Sequence, residues 1–216
     1  MAEIDYEVEY NNRARVPESP ALMAGWARDA AIYRERHPPR VTRYGPGERH
    51  TVDVIIQEMR AATRELAKLG RPLVMSGHSA GGHLAACMLA TDWPAFDAFL
   101  PENVVLAAYA ISGLFDLEPL VETSLNRALR LDRPSARAVS PLFWKPPGHG
   151  SLDAVVGGNE SAEFHRQSRT MVERWGAAGV AARFGTLADA NHFTAIAPLA
   201  DPDSAMVRRL KELALR

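Results

Sequence analysis

The sequence predicts an α/β fold: one mainly parallel sheet with helices on both faces. Three observations carry this. Short apolar runs that suit strands alternate with longer stretches of helical spacing, the order in which crossover helices link parallel strands. The run Asn103–Ile111 is apolar almost without interruption, as suits a strand buried on both faces. Finally, the strand-like Pro72–Met75 runs into the helical His83–Ala90 through Ser76-Gly77-His78-Ser79-Ala80-Gly81-Gly82. That turn is too sharp for ordinary residues, and Gly77 and Gly81 let two backbone segments approach closely there.

Composition bounds the rest. With 216 residues and 47% hydrophobic content, the chain can build a core, and a single domain over residues 1–216 is expected. The 25 basic and 26 acidic residues are interspersed, which argues against a nucleic-acid partner. Cys87 is the only cysteine and cannot form an internal disulfide. Met1-Ala2-Glu3-Ile4-Asp5 has no apolar leader and no window nears 18 apolar residues, so a cytoplasmic protein without membrane attachment is expected.

In chain order, residues 1–18 show no period and read as an irregular arm. Ser19-Pro20 opens a helix that Pro38-Pro39 stops, with Leu22, Trp26, Ala30 and Tyr33 near one face. Val41–Tyr44 and Thr51–Val54 read as two short strands of an antiparallel pair around Gly45-Pro46-Gly47. Ile55, Met59, Ala62, Leu66 and Leu69 then repeat at helical spacing up to Gly70, so a helix follows the second strand with no loop between. Beyond Asn103–Ile111, Ser112-Gly113 breaks the strand and residues 119–131 are helical in part. Pro134–Val139 is a short helix, Leu152–Gly157 a strand and Ser161–Ala178 a helix. Val180–Phe184 is the last strand, with closing helices over Phe193–Leu199 and Asp203–Leu215.

The turn reads G-x-S-x-G with Ser79 at its apex, the form of a nucleophile elbow, in which a serine sits between a strand and a helix. A serine hydroxyl needs a base, and the base needs an acidic group to fix its tautomer. In a parallel sheet these groups belong at the C-terminal ends of strands. Among seven histidines, His37, His50 and His149 sit in loops away from those ends. His78 is expected to point away from Ser79, His83 faces down the helix, and His165 lies mid-helix. His192 follows the last strand and is the natural base. For the acid, Glu160 follows the strand ending at Gly157. Glu163 is already on a helix, and Asp189 shares a loop with His192. Glu160 is favoured, with Asp189 second. No H-E-x-x-H spacing occurs, so neither a metal nor another cofactor is expected. Phe115, Trp144 and Phe193 suit an aromatic pocket or core packing equally.

Three stretches are similar to the kynurenine formamidase (arylformamidase) group of α/β-hydrolases, within the wider hormone-sensitive-lipase-like esterases: Gly77–Leu84, Ile111–Leu120 with Thr123–Asn126, and Glu160–Ser168 with Asn191-His192-Phe193. The resemblance implies an α/β-hydrolase fold with Ser79 as nucleophile, His192 as base and Glu160 where many members carry Asp. The backbone N–H of Ala80 would be an oxyanion donor. It also implies a small acyl or formamide substrate, such as N-formylkynurenine in tryptophan catabolism. Homodimerisation is left open.

The resemblance also implies an H-G-G motif after an early strand, supplying further oxyanion N–H groups. The sequence has none, and its place would be the junction Val54-Ile55. By ordinary element lengths the resemblance implies that two central strands, a helix and their loops, roughly 40 residues or more, are absent there. The nucleophile strand should then lack a neighbour on one side. The alternative is therefore a catalytically weak or inactive homologue that binds without turnover.

Overall fold

The computed structural model describes residues 4–38 and 52–215. Four strands, β1 (Leu73–His78), β2 (Val105–Ile111), β3 (Ser151–Gly157) and β4 (Ala181–Leu187), pair in parallel in the order β1-β2-β3-β4. In register, His78 lies opposite Ile111, Ile111 opposite Val155, and Gly157 opposite Leu187. Four C-terminal strand ends are thus brought side by side, and every candidate of the triad lies just beyond one of them.

Alternation along β2 divides the core into two layers, because successive side chains of a strand point to opposite faces. Ala108 and Ala110 join Met88, Leu89, Phe164, Met171 and Trp175, which come from α5 (Ala80–Leu89) and α9 (Ala162–Ala177). Ala107, Tyr109 and Ile111 face the other way, onto Met206 and Leu213 of α10 (Ala205–Ala214). That second face is pinned by charge as well. Arg209 of α10 donates from Nε and Nη2 to the buried Asp153 carboxylate of β3, at 2.7 and 3.1 Å.

Among the described residues β1 pairs with β2 alone, so the strand that leads to Ser79 is an edge of the sheet. Its residues are only partly buried, whereas β3 is buried throughout. Among the described residues, then, the nucleophile strand has one neighbour, as the resemblance implies for a chain without the H-G-G motif.

Three readings of the N-terminal third change. The arm is not irregular: it holds two one-turn helices, α1 (Tyr6–Tyr10) and α2 (Asn12–Arg15). The Asp5 and Asn11 side chains cap them by accepting from the Val8 and Ala14 N–H groups. Helices this short are marginal alone, and docking of the buried Tyr10 supplies what periodicity could not reveal. Thr51–Val54 is not a strand, since α4 runs from Val52 to Ala67. Val52, Ile55, Ile56 and Met59 follow an i, i+3, i+4, i+7 pattern, and three residues of apparent alternation gave way to it. No abrupt strand-to-helix join therefore exists. The proposed strand Val41–Tyr44 and its turn lie outside the described residues. Finally, α3 (Ser19–Arg36) has the expected spacing but buries only Ser19; Met23, Trp26, Ile32 and Tyr33 are exposed. The remaining short helices are α6 (Trp93–Phe96), α7 (Asn126–Leu129) and α8 (Arg133–Ala138).

Candidate active site

β1 ends at His78, and Ser79 follows with φ 56° and ψ −118°. Positive φ is costly for a residue with a side chain, by about 1–3 kcal/mol. The surroundings enforce it. The Ser79 N–H donates to Ile111 O at 2.8 Å, and the Ser79 carbonyl accepts from His83 N–H at 3.1 Å. Gly77 is obligatory here: a Cβ would lie 2.3 Å from the backbone of Gly81. A Cβ on Gly82 would meet Gly113 at 2.9 Å. The Ala80 N–H opens α5, where the first amides have no intrahelical partner and are free to meet an anion.

Glu160 lies beyond β3 and is buried. Its Oε2 accepts from His192 Nδ1 at 2.7 Å. Its Oε1 accepts from Ser112 Oγ at 2.5 Å and from Gly157 N–H at 2.7 Å. Burial by itself would raise this carboxyl, but the hydrogen bond and charge of His192, with the Ser112 and Gly157 donors, bring it below its ordinary value. With Nδ1 engaged by the carboxylate, a neutral His192 carries its proton there, and Nε2 is the ring nitrogen left without one.

His192 is itself buried, enclosed by the rings of His78 and Phe164 at 4.5 and 4.7 Å between centroids. Ser79 and His192 line one cavity of about 540 Å³, together with Tyr10, Arg13, Trp26 and Phe193. The geometry therefore joins Glu160 to His192 and opens His192 and Ser79 onto a common space. Asp189 is exposed, on a turn with φ 58°, and makes no contact with His192. Glu163 turns instead to Tyr10 and Arg166. Of the aromatic candidates, Phe193 lines the cavity and Phe115 is fully buried in the core. Trp144 packs at the core margin, its Nε1–H donating to Ala138 O at 2.7 Å.

Comparison with known proteins bears on the fold. No family model matches the chain. It is 32% identical over 146 residues to a kynurenine formamidase of Danio rerio, covering 65% of this chain and 49% of that protein. It is 31% identical over 147 residues to one of Salmo salar, with the same coverage. The chain thus spans about half the length of the curated relatives it matches. Among solved structures, a candidate thioesterase from Silicibacter sp. tm1040 superposes with a TM-score of 0.82 at 26% identity, covering 99% of this chain and all of that one. An esterase of Pyrobaculum calidifontis gives 0.61 at 18% identity over 77% of this chain and 63% of its own. The chain has the α/β-hydrolase fold. No helix among its described residues is long and apolar enough to cross a membrane.

Two features of this candidate site escaped the sequence. Ser112 read only as a strand breaker, yet it is fully buried, adopts φ 50°, and donates to Glu160. Its position just past β2 was the available signal, since every strand end here contributes a group. His78 was expected to point away from Ser79, but it lines the same cavity and packs against the base. The alternation that sends Ser76 and His78 to one face was legible; the arrival of the loop after β4 above them was not. Burial, and secondly the nearby His192, lower the His78 pKa to about 4, so the ring is neutral.

Proposed function

We propose that the chain hydrolyses an N-formyl aryl amide, such as N-formylkynurenine, or a small carboxylic ester through Ser79, His192 and Glu160. The hydrogen bond of His192 Nδ1 to the buried Glu160 carboxylate carries this reading, because it leaves Nε2 free in a residue that lines the same cavity as Ser79. Ser79 Oγ attacks the formyl or acyl carbon while His192 Nε2 takes its proton. The negative charge formed on the carbonyl oxygen meets the Ala80 N–H. His192 then protonates the departing amine or alcohol, and the C–N or C–O bond breaks. Water, deprotonated by His192, attacks the acyl-Ser79 ester and releases formate or the carboxylic acid. Glu160 keeps the imidazole oriented throughout and stabilises its charged form.

A second reading has its own support. The sequence lacks the H-G-G motif, and β1 is a sheet edge among the described residues. Loss of one oxyanion donor typically costs about 10²–10³ in kcat. On this reading the chain binds the same ligands with little or no turnover. Incubation with N-formylkynurenine and with p-nitrophenyl acetate, beside Ser79→Ala, separates the two. Turnover abolished by the substitution supports the hydrolase; equal, near-blank rates in both proteins leave the binding reading.

A further inference from the structure

The cavity beside Ser79 contains a charge that the triad does not use. Arg13, on α2, lines it and makes no hydrogen bond or ion pair with any described residue. The one carboxylate in the same wall, Glu7, is already committed: it accepts from Ser124 N–H at 2.7 Å, from Ser124 Oγ at 2.8 Å and from Asn11 Nδ2 at 3.2 Å. Those contacts, Ser124 foremost, lower its pKa, so it stays an anion turned away to Ser124 rather than a partner for Arg13. The cation is thus left open on the cavity.

The chain just before it is anchored through α1. The Tyr10 hydroxyl donates to Glu163 Oε1 at 2.8 Å, and Gln167 Nε2 donates at 2.5 Å to the same Tyr10 oxygen. Gln167 also binds the loop after β2, its Oε1 accepting from the Phe115 and Asp116 N–H groups. Buried hydrogen bonds therefore clamp α1 to α9, and α2 begins only one residue after α1 ends. The same cavity is lined by the apolar side chains of Met23, Trp26, Leu125 and Phe193. A guanidinium fork in a cavity with such a lining suits a ligand with an apolar or aromatic body and a carboxylate, which the fork can bind bidentately. With a net charge of −1, the chain has no overall positive field to do this instead.

We propose that Arg13 reads a carboxylate on the substrate, so that the site takes acidic aryl formamides or esters in preference to their neutral counterparts. This rests on the serine-hydrolase reading only for where the scissile group lies. The test is titration calorimetry on Ser79→Ala protein, with N-formylanthranilate, which is an anion, and with its methyl ester, which is neutral. The acid should bind about tenfold tighter than the ester, the lower end for a hydrogen-bonded charge open to solvent. In S79A/R13A that ratio should fall to about one, and S79A/R13K should fall between. An unchanged ratio in S79A/R13A, equal binding of the two ligands with Arg13 present, or no binding of either at millimolar concentration would each overturn the proposal. Hydrolysis of p-nitrophenyl acetate by the unsubstituted chain and its loss in Ser79→Ala decide the serine-hydrolase reading separately.

Discussion

Replacing Glu160 by glutamine tests the site with almost no change of shape. The carboxylate accepts three hydrogen bonds, one on Oε2 from His192 and two on Oε1 from Ser112 and Gly157. An amide has one accepting oxygen. If that oxygen replaces Oε2, the new NH₂ points at the Gly157 N–H, a fixed backbone donor that cannot turn away. If it replaces Oε1, the NH₂ faces His192 Nδ1 and donates to it. The imidazole must then carry its proton on Nε2, the nitrogen required as a base. The second arrangement leaves fewer donors opposed and is the one expected. A catalytic histidine held in the wrong tautomer loses about 10⁴ in kcat, equivalent to about 5 kcal/mol in the barrier. Steady-state kinetics on p-nitrophenyl acetate and N-formylkynurenine should show this loss in Glu160→Gln, while Asp189→Asn, at an exposed turn, should stay within about twofold of the parent. A Glu160→Gln enzyme within tenfold of the parent, or an Asp189→Asn enzyme hit harder, would refute the assignment of the acid.

Three further outcomes are expected. The His78 pKa falls from 6.5 to about 4 on folding, so the unfolded chain binds more protons between those values and stability drops as pH falls through that window. Glu160, also depressed, adds its loss only below its ordinary 4.5. Discounted for partial burial, His78 accounts for about 2 kcal/mol, or about 5 °C in Tm for a chain of this size; His78→Gln should flatten the Tm–pH curve between pH 6.5 and 4, and an unaltered slope would count against the role given to its burial. Gly77→Ala drives a Cβ to 2.3 Å from the Gly81 backbone; because backbone cannot yield as a side chain can, a loss of more than about 3 kcal/mol should appear in chemical denaturation. Arg209→Met strands the buried Asp153 charge and should cost about 3–5 kcal/mol, with Asp153→Asn added to Arg209→Met recovering part of it; equal melting of all three proteins would show that the pair does not hold α10.

What the sequence disclosed and what it hid divide along physical lines. β2 and β3 were legible because burial on both faces demands unbroken apolar residues, and α9 because its one buried face imposes a period. The elbow was legible because only glycine fits beside Gly81. The helices α1 and α2 were hidden because their stability lies in contacts more than 150 positions away, such as Tyr10 to Glu163. The first turn of α4 was hidden because three alternating residues satisfy a strand and a helix alike. For the candidate site, position after a strand picked out Ser79, Glu160 and His192, which lie beyond the ends of β1, β3 and β4. Ser112 has the same kind of position and was passed over because a serine before a glycine is an ordinary strand stop.

That omission bears on how the site is built. β1 delivers Ser79, β2 Ser112, β3 Glu160 and β4 His192, each within five residues of its strand's end. Neighbouring ends are also bonded across, with Ser79 N–H to Ile111 O at 2.8 Å, Ser112 N–H to Val155 O at 2.7 Å, and Gly158 N–H to Leu187 O at 2.8 Å. On the proposed roles, the acid and base are carried by strand ends that lie on one side of β1, those of β3 and β4, with Ser112 of β2 donating to the acid. The elements that the resemblance implies beyond β1 would bear on a different part of the chemistry, the stabilisation of the oxyanion. A deficit in this chain should accordingly appear as a low kcat with a normal pH dependence of the His192–Glu160 pair. A pH profile for the residual activity displaced from that of a full-length relative would instead place the fault in the triad itself.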